Sequence, residues 1–317
     1  MPSSLLQTLR VILAAGVLTW LVAGCGEEHT DTVEDKSRAQ APRIVVSIAP
    51  LAMLAREVAG PDSNIHTLIS SGDPHQYAPR VADRAAMERA SLLVWMGPAV
   101  ESVMARQMAL LPEEKQLTLL NAEGYELEGA DQGDPHLWLR PRNAARMAAH
   151  IANRLAALDP IHTDDYRQRA RDFSRAMANL QKVQDRALWG YKDVPVVTTH
   201  LAYSQFFGPA GIKAESLSGS DNHQHGARTM LDQGRNGTGG NGDREGNRGC
   251  LFGEVPANDR DRQTAAHLGL GYRALDPLGR NLPEDAGYRQ LMEKLLSDAR
   301  QCLGQIVDRS IPESQAR

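Results

Sequence analysis

The sequence predicts an α/β protein of two lobes, each a parallel sheet with flanking helices, joined by one long connecting helix. Three observations carry this. Short β-branched runs alternate with amphipathic stretches over residues 44–120, and the same alternation returns over 194–303. Between them, residues 162–188 run without proline or glycine. Alternating strands and helices imply parallel pairing, because a crossover helix is what returns the chain to the same edge of a sheet.

Each element has a local cause. Ile44-Val45-Val46-Ser47-Ile48-Ala49 reads as a strand ending at Pro50, and residues 51–58 form an amphipathic helix stopped by Gly60. Residues 65–69 make a second strand, after which Ser71-Gly72-Asp73-Pro74 turns the chain and presents His75. Residues 81–90 are helical, 92–96 form an apolar strand ended by Gly97-Pro98, 101–111 are helical again, and 117–120 form a strand. Residues 121–133 are a loop carrying Glu123, Glu126, Glu128 and Asp131, and 143–158 have alanine and apolar residues at helical spacing. These limits give a first lobe over 44–160, a connecting helix over 161–192 and a second lobe over 193–317. In the second lobe, 194–199 and 250–253 are strand-like, Ile212 opens an extended segment, and 259–268 and 288–303 are helical. Residues 232–249 break the pattern. Seven glycines, Gly234 to Gly249, stand where a doubly wound lobe wants a helix, and each costs about 1 kcal/mol there relative to alanine.

The N-terminus stands outside this fold. Arg10 precedes an apolar run over 11–22 that is too short for a normal membrane-spanning helix. The run ends in Leu21-Val22-Ala23-Gly24-Cys25, which resembles the lipobox of bacterial lipoproteins, with Cys25 as the lipidated residue. Residues 1–24 are then a signal peptide. Residues 25–43 are polar and charged, and read as a flexible tether. The expected location is extracytoplasmic, in the periplasm or at the cell surface, with the chain anchored to a membrane. The formal charge of −4 among 317 residues gives no reason to expect nucleic-acid binding. With Cys25 taken, Cys250 and Cys302 remain. An exported chain with two cysteines left favours a bridge; the alternative is two buried thiols.

The chemistry lies in histidines. Asp-Pro-His occurs twice, at Asp73-Pro74-His75 and Asp134-Pro135-His136, and His200 ends the run Val194-Pro195-Val196-Val197-Thr198-Thr199. Three imidazoles on separate loops suit a borderline-soft cation such as Zn2+. Trp95 and Trp138 fit packing of the first lobe. His66, His150, His162 and His267 fit surface or packing positions. The pair His223 and His225 fits either a second metal site or a solvated loop. Glu254 fits either an acid facing a cleft or a plain surface carboxylate.

Residues 44–304 resemble the metal-binding receptors of bacterial ABC importers for zinc and manganese. The residues that carry the resemblance are Ile44 to Leu51, Asp73-Pro74-His75-Gln76-Tyr77, Asp134-Pro135-His136-Leu137-Trp138-Leu139, His200, and Leu275-Asp276-Pro277-Leu278-Gly279. The last string, followed by Cys302, is most similar to the zinc-uptake branch. The resemblance implies a metal site in the cleft between two lobes, with His75, His136, His200 and Asp276 as ligands. It also implies an ABC permease as partner, a monomer, and no enzymatic activity. Manganese members have a carboxylate where His200 stands, and nitrogen there favours zinc. Two features depart from the zinc branch: the loop before His136 is short and lacks histidine, and Leu201 follows His200 where an acid is more usual. The competing readings are a manganese or broad divalent-metal receptor, an adhesin-like lipoprotein and a zinc hydrolase. The last lacks a His-Glu-x-x-His helix and a serine nucleophile elbow.

Overall fold

The computed structural model describes residues 41–131, 133–217 and 248–310. The signal and tether segments, Cys25, the pair His223 and His225, and most of the glycine-rich stretch lie outside the described residues. Strand β1 (Ile44–Ile48) is buried along its whole length. It pairs in parallel with β2 (Ile65–Ile69) on one side and β3 (Leu92–Trp95) on the other, and β4 (Gln116–Thr118) adds in parallel beside β3. A nearly unbroken β-branched run is what a strand covered on both faces requires.

Helix α1 (Ala49–Ala59) follows β1 directly, with Pro50 in its first turn. The missing proline N–H has no helical partner to lose at that position. Gly60 ends the helix at φ +96°, and a Cβ there would stand 3.3 Å from the guanidinium carbon of Arg169. Only glycine meets both demands. Arg169 donates through Nη1 to the carbonyls of Val58 and Ala59 at 3.3 and 3.4 Å, serving acceptors that the helix end leaves open. Helix α2 (Val81–Glu88) lies between β2 and β3. The helix expected over 101–111 contracts to α3 (Ala105–Met108). Its first residue is drawn inward: the fully buried Glu101 accepts the amides of Met96 and Gly97 at 3.3 and 2.9 Å and the Ser47 hydroxyl. Those local bonds to a side chain compete with helix formation.

Helix α4 (Pro141–Leu158) packs against α5 (Thr163–Trp189). At 27 residues, α5 is the long connector, about 40 Å from end to end. It is shorter than the 161–192 expected because a 3-10 turn, Pro160–His162, precedes it and Gly190 follows Trp189. Apart from Gln181, its buried residues, Tyr166, Ala170, Phe173, Met177, Leu180, Gln184 and Leu188, recur every three or four positions, which is one face of a helix. Arg169 ties α5 to the first lobe. Gln184 ties it to the second through Nε2 and the Phe206 carbonyl at 2.9 Å.

The second lobe contains β5 (Val196–Thr198), α6 (Ser204–Phe207), β6 (Ala214–Ser216), β7 (Cys250–Glu254), α7 (Asp259–Leu268), β8 (Gly271–Leu275) and α8 (Tyr288–Ser310). All its strand pairs are parallel. The two sheets, β2-β1-β3-β4 and β6-β5-β7-β8, have the same order. One hydrophobic cluster runs through both lobes, from Ile48 and Leu54 to Phe206 and Leu291. A smaller one, Val197, Leu251, Ala265 and Leu270, covers the other face of the second sheet. Cys250, at the start of β7, is bonded to Cys302 on α8 across a sequence separation of 52. Among the described residues no helix is long and apolar enough to cross a membrane.

Candidate metal centre

His75, His136 and His200 come together. Each offers a ligand atom, and the three atoms lie within 4.8 Å of one another. Ring centroids are 5.8 Å apart for His75 and His136, 6.3 Å for His75 and His200, and 5.5 Å for His136 and His200. Ligand atoms on a tetrahedral zinc stand about 3.3 Å apart, the edge set by bonds of roughly 2.0–2.1 Å. The trio is therefore nearly assembled and needs inward shifts of only about 1–1.5 Å.

The two Asp-Pro-His strings use one local device for two purposes. In both, the aspartate accepts the backbone amide of the histidine two residues on, at 2.9 Å, a turn that short acidic side chains favour. Asp73 does this at the exposed start of a 3-10 turn, Pro74–Gln76, and the His75 carbonyl accepts the Ser102 hydroxyl at 2.7 Å. Asp134 does more. It is buried, its Oδ1 also meets His136 Nδ1 at 2.7 Å, and its Oδ2 accepts the Ser204 amide at 3.0 Å and hydroxyl at 2.8 Å. Burial alone would push Asp134 up, but the hydrogen bonds and charge of His136 and Ser204 hold it below the ordinary carboxylate value. With Nδ1 facing that carboxylate, His136 presents Nε2 to the cavity; metal-binding histidines are commonly oriented this way. His200 follows β5, where the Thr198 hydroxyl donates to its carbonyl at 2.9 Å.

A cavity of about 570 Å³ holds the three imidazoles, with Trp138, Glu254 and Arg280 on its wall. Burial first, then repulsion from His136, moves His200 down from 6.5 to about 4. His75 is lowered by the same two causes, partly opposed by Asp73. Both are thus neutral at pH 7 and offer lone pairs without first shedding a proton.

Asp276, the fourth ligand implied by the family resemblance, is not brought into this group. It is buried, and its two oxygens accept the amides of Arg280 and Asn281 at 2.9 and 2.7 Å. The turn after β8 thus engages both of its oxygens. Glu254, at the end of β7, lines the cavity beside His200, although its oxygens do not lie within 4.8 Å of all three imidazole ligand atoms. Its Oε1 is 3.5 Å from His200 Nε2 and accepts the Tyr203 hydroxyl at 3.4 Å. Burial pushes Glu254 up, against the nearby charges of His136 and Arg280. The Arg280 guanidinium donates to the Val255 carbonyl at 3.2 Å and to the Gly72 carbonyl, linking the loop before His75 to the end of β7. Nothing local in the sequence marks Tyr203, Ser204 or Arg280 as partners of this site. The signal available for Glu254 was its place at the carboxyl end of a central strand, where open α/β sheets put their ligands.

Trp95 packs the first lobe, its indole donating to Thr118 Oγ1 at 2.8 Å. Trp138 departs from that expectation. Its indole crosses to the Pro277 carbonyl at 3.0 Å, its own carbonyl accepts the Tyr288 hydroxyl at 2.6 Å, and its ring lies 5.0 Å from that of His136. It is both a wall of the cavity and a link to the second lobe. His150 contacts the Glu123 carbonyl at 3.0 Å and His162 contacts Asp159 at 2.7 Å, both away from the trio.

Comparison with known proteins gives a consistent picture. The family model described as zinc-uptake complex component A, periplasmic, matches residues 44–302. The zinc-binding lipoprotein AdcA of Streptococcus pneumoniae is 26% identical over 231 residues, covering 68% of this chain and 44% of that lipoprotein. The chain therefore spans less than half that relative's length. The high-affinity zinc uptake system protein ZnuA of Brucella abortus is 26% identical over 316 residues, covering 82% of this chain and 91% of the relative. Among solved structures, the laminin-binding protein of Streptococcus agalactiae, described as having adhesin and metal-transporting activity, aligns with a TM-score of 0.66 at 23% identity. That alignment covers 84% of this chain and all of the other, and shows the shared two-lobe fold.

Proposed function

Because this chain belongs to the family of periplasmic zinc-uptake complex component A proteins, we propose that it is an extracytoplasmic receptor that captures Zn2+ and hands it to an ABC permease. The observation that carries this is the convergence of His75, His136 and His200 in one cavity. Three imidazole nitrogens favour zinc over harder cations, which prefer oxygen. Metal analysis of protein purified without added zinc tests the reading. About one zinc per chain is the expected result; a protein without zinc that also fails to take it up overturns it.

The chain's residues act as a holder and not as a catalyst. Asp134 fixes the tautomer of His136, burial keeps His75 and His200 unprotonated, and Trp138 shields one side. Release to the permease requires the trio to separate. The ligands come from both lobes, so a small relative displacement suffices. His200→Glu replaces a nitrogen by a harder oxygen and is expected to lower the zinc-to-manganese preference at least tenfold, read by competitive titration. An unchanged ratio would mean that His200 does not set the selectivity.

The lipobox-like string ending in Cys25 supports anchoring of the receptor to a membrane. Cys25→Ala is expected to abolish lipid labelling and release the protein from the membrane fraction, and continued labelling would refute the anchor. A second reading, adhesion, is favoured by the described activity of the S. agalactiae structure. Laminin binding that persists after all three histidines are replaced would separate it from metal capture.

A further inference from the structure

We propose that Glu254, and not Asp276, supplies the fourth ligand of the zinc site. The inference rests on the receptor reading above and names a residue of the same site.

Geometry is the first argument. Glu254 Oε1 stands 3.5 Å from His200 Nε2. Two ligand atoms on one tetrahedral zinc are separated by about 3.3 Å, given bonds of roughly 2.0–2.1 Å. The pair already has nearly the spacing that a shared metal imposes. Glu254 and His200 sit at the carboxyl ends of β7 and β5, which are neighbours in register, Thr198 standing beside Phe252. Sheet pairing therefore fixes the two side chains together before any metal arrives.

Availability is the second. Asp134 and Asp276 use both carboxylate oxygens on backbone or side-chain donors, and Asp73 uses one. Asp73 accepts the His75 amide, Asp134 holds His136 and Ser204, and Asp276 accepts two backbone amides. Those two amides hold the Asp276 carboxylate in the turn through Arg280 and Asn281, so it cannot swing toward the trio without giving them up. Glu254 faces the cavity with one long hydrogen bond, 3.4 Å from the Tyr203 hydroxyl. Its side chain also has one more rotatable bond than an aspartate with which to close on the metal.

Charge is the third. Three imidazole ligands bring no negative charge of their own to a divalent ion, and the wall of the partly desolvated cavity carries the Arg280 cation as well as Asp73. A carboxylate ligand relieves that charge, and a water molecule that stays neutral does not.

Three variants decide the matter. Zinc affinity is read by competition with a chromophoric chelator, and the coordination sphere by the visible spectrum of the protein loaded with cobalt(II). Glu254→Gln is expected to weaken zinc on the order of 10- to 100-fold and to shift the cobalt bands. Glu254→Asp, which keeps the charge but shortens the reach, should fall between wild type and Glu254→Gln. Asp276→Asn should leave the cobalt bands in place, because its role is in the turn. Melts of the metal-free variants separate lost ligation from lost folding; if Glu254→Gln does not fold, the cobalt spectra of Glu254→Asp and Asp276→Asn decide. Retention of affinity within roughly threefold by Glu254→Gln with an unshifted spectrum, or shifted bands in Asp276→Asn, overturns the assignment. A wild-type protein that binds neither zinc nor cobalt overturns the receptor reading itself, a failure distinct from the other two.

Discussion

At a zinc concentration a thousand times the dissociation constant, the protein is expected to unfold as though about 4 kcal/mol more stable than its metal-free form. The gain arises because the three imidazoles meet only in the fold, so metal binds the native state and not the unfolded chain. His75→Ala, His136→Ala and His200→Ala should each remove most of it. His150→Ala, whose ring contacts the Glu123 carbonyl on the first lobe, should leave it intact. Thermal melts with and without zinc measure this, and a zinc-induced rise that survives loss of two of the three histidines places the metal elsewhere.

The same melts have a defined pH dependence. Imidazoles at their ordinary value of 6.5 would lose zinc to protons near pH 6. Burial and repulsion from His136 lower His75 and bring His200 to about 4, so proton competition at these two ligands moves to lower pH. The metal-free fold behaves in the opposite sense. A histidine whose folded value is depressed binds fewer protons in the fold than in the unfolded chain, so acid favours unfolding. For His200 the loss begins as pH falls through about 6.5 and levels off near 4, where the folded side chain also charges. Zinc-induced stabilisation should therefore be larger at pH 6 relative to the metal-free protein than an unburied histidine trio would give. Loss of the zinc-induced stabilisation already near pH 6 would refute the role of burial.

Replacing Cys250 and Cys302 together by alanine is expected to cost about 4 kcal/mol. The bridge closes a loop across a sequence separation of 52 and restricts the unfolded chain. It also fixes β7, the strand that ends at Glu254, to α8. Chemical denaturation of the double variant measures the cost, and titration of the denatured, unreduced protein should find neither thiol free. A loss below about 1 kcal/mol, or two titratable thiols, would count against the bridge as a stabilising element.

By itself the sequence determined the features that depend on neighbours along the chain. The β-branched run at Ile44, proline in the first turn of α1 and glycine at its end set a strand and a helix locally. The proline-free stretch set the long connector. Asp-Pro-His set two turns that present imidazoles, because an aspartate two residues ahead can bond the histidine amide within the same tight loop. The tertiary structure decided what those turns face. Two identical tripeptides differ because Ser204, 70 residues from Asp134, completes one of them and not the other. Trp138 became a link between lobes because Pro277 and Tyr288 pack against it. Asp276 and Glu254 are both acids at the ends of adjacent strands, β8 and β7. No local pattern says which carboxylate is taken up by backbone amides and which is left beside His200. Strand pairing and the turn after β8 settle that, and both depend on contacts between residues far apart in the chain, which hydropathy and spacing do not encode.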